Sequence, residues 1–193
     1  MLDRHLHPRL KPLLHRCVGI IDKPAITPDG LTLVGFAIGV LALPFLALGW
    51  YLAALVAIVL NRLFDGLDGA LARRRGLSDA GGFLDISLDF LFYALVPFGF
   101  ILAAPEQNAL AGGWLLFAFI GMGSSFLAFA ALAAKHQIDN PGYAHKSFYY
   151  LGGLTEGTET ILLFVLGCLF PDYFAVLAWV FGALCWMTTF TRI

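Results

Sequence analysis

The sequence predicts an all-α integral membrane protein of six transmembrane helices, preceded by an N-terminal amphipathic helix lying in the interface. Three observations predict it. Of the 193 residues, 60% are apolar and only 13% charged, where a soluble domain is nearer half apolar and a quarter charged. Six apolar stretches follow one another, each at about the twenty residues that a bilayer core requires. The basic residues gather at alternate ends of those stretches. A water-soluble enzyme is excluded, as are disorder, collagen and coiled coil, for there is no low-complexity tract, Gly-X-Y period or charged heptad.

The chain reads as a single domain over 1–193, with the interfacial helix over 1–24 and the six-helix bundle over 31–190. In the first segment Leu2, Leu6, Leu10, Leu13, Leu14 and Val18 recur at near-helical spacing with Arg, Lys and His between them. An apolar stripe with a basic opposite face suits the surface of an anionic leaflet. Pro8 and Pro12 should kink it, and His5, His7 and His15 read as part of its polar face rather than as metal ligands. Basic residues ahead of the first long apolar run do not fit a cleavable signal peptide.

The spans are expected at Leu31–Leu48, Tyr51–Ala72, Gly82–Ala103, Leu110–Ala134, Leu151–Phe170 and Tyr173–Phe190. Breakers separate them at Gly49-Trp50, Arg73–Asp79, Pro105–Asn108, Lys135–Lys146 and Pro171-Asp172. Eleven of the twelve basic residues fall in segments on one side of this alternation, and Arg62 lies toward the same end of span two. By the positive-inside rule that side is the cytoplasm, with both termini there and, for a bacterial chain, the inner membrane as the location. Trp50 and Trp114 fit anchoring at the opposite interface. A net charge of -1 recommends no nucleic-acid partner. Cys17, Cys168 and Cys185 are odd in number and widely spaced, so they indicate neither disulfides nor a zinc site.

Spans two and three nonetheless carry Asn61, Arg62, Asp65, Asp68, Asp85 and Asp89. Ionisable groups at that depth cost several kcal/mol unless paired or solvated, which makes them functional candidates. Asp65 and Asp68 are i,i+3 neighbours and Asp85 and Asp89 are i,i+4 neighbours, so each helix offers a two-carboxylate edge. The short connection makes the two helices antiparallel neighbours. Four facing carboxylates repel; two divalent ions would neutralise them, and hard oxygen ligands suit Mg²⁺ or Mn²⁺. Such a pair of ions is the usual clamp for phosphoryl chemistry. Gly66, Gly69, Gly81 and Gly82 would let a phosphorylated ligand approach the backbone, with Arg73 as a cationic fork for its phosphates. Gly35 and Gly39, and Gly153 and Gly157, read instead as small-residue packing pairs.

The residues spell Asp65-x-x-Asp68-Gly69-x-x-Ala72-Arg73, seven residues, then Gly81-x-x-x-Asp85-x-x-x-Asp89. This resembles the signature of the CDP-alcohol phosphotransferase, or CDP-alcohol phosphatidyltransferase, family at all eight positions. The six spans behind an interfacial helix are similar to that family too. The resemblance implies that Asp65, Asp68, Asp85 and Asp89 hold two divalent metals and that Asp89 is also the base for the acceptor alcohol. It implies a CDP site shaped by Gly69, Ala72, Arg73 and Gly81, with Ser78 as a weaker contact. Thr27-Pro28-Asp29-Gly30-Leu31-Thr32 is similar to the family's T-P-N-x-x-T entrance to span one, placing Asp29 and Thr32 near the nucleotide, with Asp29 in place of the commoner Asn. The implied reaction is attack of an alcohol oxygen on CDP-diacylglycerol with release of CMP. Homodimerisation is family-like.

The acceptor is less legible. Glycerol 3-phosphate, giving phosphatidylglycerophosphate, is the default expectation; inositol phosphate, serine or another alcohol is the alternative. Glu156 and Glu159 open span five and either line the acceptor pocket or make a structural polar contact. Lys135, His136, His145 and Lys146 could recognise an acceptor phosphate or serve only to orient the chain. From another class, a divalent-cation transporter would use the same acids, but Arg73 and the glycines have no evident use in one. A non-catalytic assembly factor would be expected to lack a signature aspartate, and none is lacking.

Overall fold

The computed structural model describes residues 14, 17–19, 21–136 and 155–193, and every regular element among them is helical. Most of the expected 1–24 helix lies outside the described residues; Leu14, residues 17–19 and Ile21 are helical. Val18 is buried with Ala70 and Leu71, which seats this segment against span two. Asp22 adds an ionic latch, pairing with Arg74 Nε at 3.0 Å and accepting from Arg75 Nη2 at 2.6 Å.

Helix α1 covers Pro28–Val40. Its start is set by Thr27, whose hydroxyl accepts from the Gly30 N–H at 3.1 Å, and by Pro28 in the first turn. The chain then breaks at Leu41 and resumes as α2, Ala42–Ala47. Pro44 is the cause, for it has no N–H to offer Val40 and its ring crowds that carbonyl. The expected span at Leu31–Leu48 is thus present but broken within. Gly49, at φ +74°, turns the chain into α3, Tyr51–Arg75, and Gly76, at φ +110°, ends that helix. Three residues later α4, Asp79–Ala103, begins on Ser78, whose hydroxyl accepts from the Gly81 N–H at 3.0 Å.

Helix α5 runs Pro105–Lys135, starting five residues ahead of the expected Leu110. The residues that read as a breaker are helical, and two of their side-chain amides donate to carbonyls. Asn108 Nδ2 donates to the Phe100 carbonyl at 2.9 Å and Gln107 Nε2 to that of Asp172 at 3.0 Å. Helix α6 covers only Gly157–Leu169, so the expected start at Leu151 is also corrected; Thr155 and Glu156 are described and not helical. A capping box between Glu156 and Glu159 defines this start, with Glu159 Oε2 accepting from the Glu156 N–H at 3.1 Å. A 3₁₀ turn, Pro171–Tyr173, leads to α7, Phe174–Arg192.

The segments Pro28–Ala47, Asp79–Ala103, Pro105–Lys135 and Pro171–Arg192 are long and apolar enough to cross a bilayer. Helix α3 matches them in length but carries the charges of the site, and the 13 residues of α6 reach about 20 Å. The protein is an all-helical integral membrane protein. Its core is aromatic: Phe92, Phe100, Phe164 and Phe174 are fully buried where α4, α6 and α7 meet. Helix α1 packs on α3 and α4, α2 on α4, and α5 on α7.

Candidate active site

Helices α3 and α4 are antiparallel, as their side-chain register shows. Asp68 meets Asp85, and earlier on α3 Arg62 meets Asp89 later on α4. They are antiparallel neighbours, as the short connection predicts, and face each other through the Arg62–Asp89 pair and the Asp65, Asp68 and Asp85 carboxylates. Both lean on α1 and α2, and the space between them is spanned by side chains. Connection length set their direction but not their separation.

That space is a small, partly open cleft whose lining includes Asp65, Asp68, Asp85, Asp89, Arg62, Asn61 and Thr32, with Phe36 and Leu88 on its apolar wall. Its depth along α3 follows from glycines on α1. A Cβ at Gly35 would come within 2.6 Å of Phe64 Cβ, and one at Gly39 within 2.8 Å of Asn61 Nδ2 and 2.9 Å of Phe92. Only bare backbone there lets α1 approach.

Carboxylate oxygens of Asp65, Asp68 and Asp85 lie within 4.8 Å of one another. Three hard, anionic oxygens at that spacing suit a divalent cation of the Mg²⁺ or Mn²⁺ kind. Asp68 is buried and oriented from α1 by the Thr32 hydroxyl, which donates to its Oδ2. Sequence reasoning assigned Thr32 to the nucleotide; its observed partner is a member of the carboxylate group. Asp89 takes a different partner. Its Oδ1 pairs with Arg62 Nη2 at 2.7 Å, while Arg62 Nη1 lies 3.6 Å from Asp65 Oδ2.

Toward the end of α3, Arg73 folds back over Gly69, where a Cβ would stand 3.2 Å from its Nη1, and its charge is within electrostatic reach of Asp68, Asp65 and Asp85. Ala72 is half-buried beside it. Arg74 and Arg75 are committed to Asp22, so of the three arginines Arg73 alone is turned toward the acids. Gly81 brings α1 to α4: its absent Cβ would lie 3.0 Å from Asp29 Oδ1 and 2.9 Å from Ser78 Oγ. Asp29 is exposed at this rim. Gly66 faces Leu14 Cδ2, at 3.3 Å from a would-be Cβ, so it seats the N-terminal segment rather than admitting a ligand.

Lys135 is exposed on the last turn of α5 and His136 follows it. Lys146 and His145 lie outside the described residues. Sequence reasoning treated Arg192 only as a topogenic charge. It is partly buried, with its guanidinium 5.9 Å from the Phe126 ring and Nη1 3.4 Å from the Met122 carbonyl. An arginine at the edge of an apolar helix was the only available signal.

Comparison with known proteins identifies the class. The chain matches the CDP-alcohol phosphatidyltransferase family over residues 25–191 and belongs to it. It is a transferase enzyme of that kind. It is 91% identical over 193 residues to the Escherichia coli K12 inner membrane protein YnjF, across 100% of this chain and 94% of that protein. It is 38% identical over 98 residues to an archaetidylinositol phosphate synthase of Pyrococcus horikoshii, covering 50% of this chain and 52% of that one. The fold is similar to that of Mycobacterium tuberculosis phosphatidylinositol phosphate synthase PgsA1 with CDP-DAG bound, at TM-score 0.71 and 23% identity over 95% of this chain and 92% of that chain. The same enzyme solved with manganese and citrate matches at TM-score 0.69 and 22% identity, covering 93% of this chain and 86% of that chain.

Proposed function

We propose that this CDP-alcohol phosphatidyltransferase moves a phosphatidyl group from CDP-diacylglycerol to the hydroxyl of a phosphorylated polyol, releasing CMP. The observation that carries the reading is the convergence of Asp65, Asp68 and Asp85 beside Asp89, with Arg73 at one end. The four aspartates are the metal-binding set and Asp89 is the base. Divalent ions held there would bind the diphosphate and offset charge on the departing CMP. The acceptor hydroxyl gives its proton to Asp89 as its oxygen bonds to the lipid-side phosphorus. The bond from that phosphorus to the bridging oxygen breaks, and CMP leaves with the oxygen. Arg73, Gly69, Ala72 and Gly81 form the CDP side of the site, with Asp29 and Ser78 at its rim, and the acyl chains stay in the bilayer.

For the acceptor, glycerol 3-phosphate and inositol phosphate share the chemistry of a hydroxyl beside a phosphate dianion. The naming of a relative as an archaetidylinositol phosphate synthase supports a phosphorylated acceptor over serine. Arg73, with Lys135 at the end of α5 and Lys146 beyond it in sequence as further candidates for the acceptor phosphate, supplies positive charge on the side of the membrane that the basic loops mark, which is the cytoplasmic side of an inner membrane in this reading. The capping box of Glu156 and Glu159 supports a structural role for those two, and homodimerisation is part of the same family-based reading.

The test measures CMP release from CDP-diacylglycerol with Mg²⁺ or Mn²⁺ and a panel of glycerol 3-phosphate, inositol phosphate, inositol, glycerol, serine and no acceptor. Release restricted to one phosphorylated polyol is expected. Release with serine or an unphosphorylated polyol would overturn the acceptor class, and binding of metal without any CDP-lipid turnover would favour the cation-transport reading.

A further inference from the structure

The four aspartates do not act alike: three converge, and the fourth is held by Arg62. The Arg62 side chain is 16% exposed and that of Asp89 28%, so their 2.7 Å pair is largely removed from water. Every donor group of Arg62 has an acceptor. Nε reaches Asn61 Oδ1 at 2.8 Å; Nη2 reaches Asn61 Oδ1 at 2.6 Å and Asp89; Nη1 reaches Tyr93 Oη at 3.4 Å and lies near Asp65. Its face covers the rings of Phe92 at 4.8 Å and Tyr93 at 5.4 Å. An arginine so fully engaged is not arranged to receive an acceptor phosphate.

Its position is relayed from α1. Asn61 Nδ2 donates to the Gly35 carbonyl at 3.0 Å, which turns Asn61 Oδ1 toward Arg62. Gly39 supplies the room for that amide. Backbone of α1 therefore sets Asn61, Asn61 sets Arg62, and Arg62 sets Asp89.

The charge consequence is specific. Against the four aspartates stand Arg62, paired with Asp89, and Arg73, within electrostatic reach of Asp65, Asp68 and Asp85, which leaves no more than two net negative charges from these side chains. One divalent ion offsets them; a second makes the site net positive unless an anion comes with it. We infer that Arg62 is a built-in counter-cation that occupies Asp89, so that Asp65, Asp68 and Asp85 bind one divalent ion tightly and the second ion enters only with the diphosphate of the CDP-lipid. Arg62 is then a positioning residue acting through Asp89. The inference rests on the assignment of the aspartates as metal ligands made above.

The test uses the full chain in lipid nanodiscs without CDP-lipid. Mn²⁺ is counted by isothermal titration, and its electron paramagnetic resonance spectrum distinguishes an isolated ion from a spin-coupled pair. Wild type is expected to bind one isolated ion. Arg62→Gln is expected to bind a coupled pair, and Arg62→Lys, which restores the charge, one ion again. Asp68→Asn is expected to lose the tight ion and Asp89→Asn to keep it. A coupled pair in wild type, a single ion in folded Arg62→Gln, or equal loss of the tight ion in Asp89→Asn and Asp68→Asn would overturn the inference. Should Arg62→Gln fail to fold, wild type and the two aspartate variants decide. Two ions in a protein that releases CMP would refute the role of Arg62 alone, whereas one ion without CMP release would refute the proposed reaction alone.

Discussion

Glycine does opposite work in the two halves of this protein. In α1, α3 and α4 the absent Cβ atoms make room chiefly for polar groups: Gly39 for Asn61, Gly69 for Arg73, Gly81 for Asp29 and Ser78. In α5, α6 and α7 they make room chiefly for rings: Gly121 for Trp186, Gly123 for Phe90, Gly167 for Phe100, Gly182 for Trp114. The first half brings charge together in a low-dielectric place, which costs energy unless each group is partnered. The second half gains dispersion and area, with Trp114 Nε1 also donating to the Trp179 carbonyl at 3.2 Å. So Trp114 does more than anchor the chain at an interface. The lesson is that a small-residue pair in a membrane helix does not by itself say whether packing or chemistry is being served. The side chain opposite it does.

Substitutions in the two halves should therefore fail in different ways. The largest effect is expected for Asp68→Asn, which removes a buried oxygen ligand. Divalent-ion affinity and CDP-lipid binding should fall together by at least about 100-fold, beyond the loss typical of an outer partner. Titration of Mg²⁺ overlaying that of wild type would remove Asp68 from the ligand set. Thr32→Val keeps the shape of the side chain but deprives Asp68 of its donor. A loss of about 10-fold in ion affinity is expected, with unfolding temperature nearly unchanged.

Gly182→Ala should show the reverse pattern, because the added methyl overlaps the Trp114 indole. Stability is expected to drop by about 1–3 kcal/mol, seen as a lower unfolding temperature in detergent, while turnover per folded molecule holds. Loss of turnover without loss of stability would mean that the aromatic half takes part in catalysis. The smallest effect is expected for Glu159→Gln, which weakens the capping box of α6 by about 0.5 kcal/mol. Acceptor KM should not move; a several-fold rise would return Glu159 to the acceptor pocket.

Much of the first half was legible because charged residues inside apolar runs stand out, and their i,i+3 and i,i+4 spacing predicts shared edges. What the spacing could not show is any pairing between helices. Arg62 reads as one more charge near the cytoplasmic end, and its union with Asp89 spans two helices whose separation depends on α1. Thr32 and Asp68 meet for the same reason. The break at Leu41 had its cause in plain view in Pro44, but a continuous apolar run outweighed it. Conversely, Glu106, Gln107 and Asn108 read as a breaker, whereas the Gln107 and Asn108 side chains donate to carbonyls 65 and 8 residues away in the chain. Local composition foretold which groups are costly and left unsaid where they find partners.

The central claim is that chemistry resides in the acidic half, with Asp89 taking the proton of the acceptor. It is tested most directly by single-turnover CMP release from CDP-diacylglycerol in wild type and Asp89→Asn, with CDP-lipid binding measured on the same samples. The account predicts a fall in release of about 10²–10⁴-fold, the range for loss of a positioned base, with binding largely retained. Comparable release in the two proteins would contradict it.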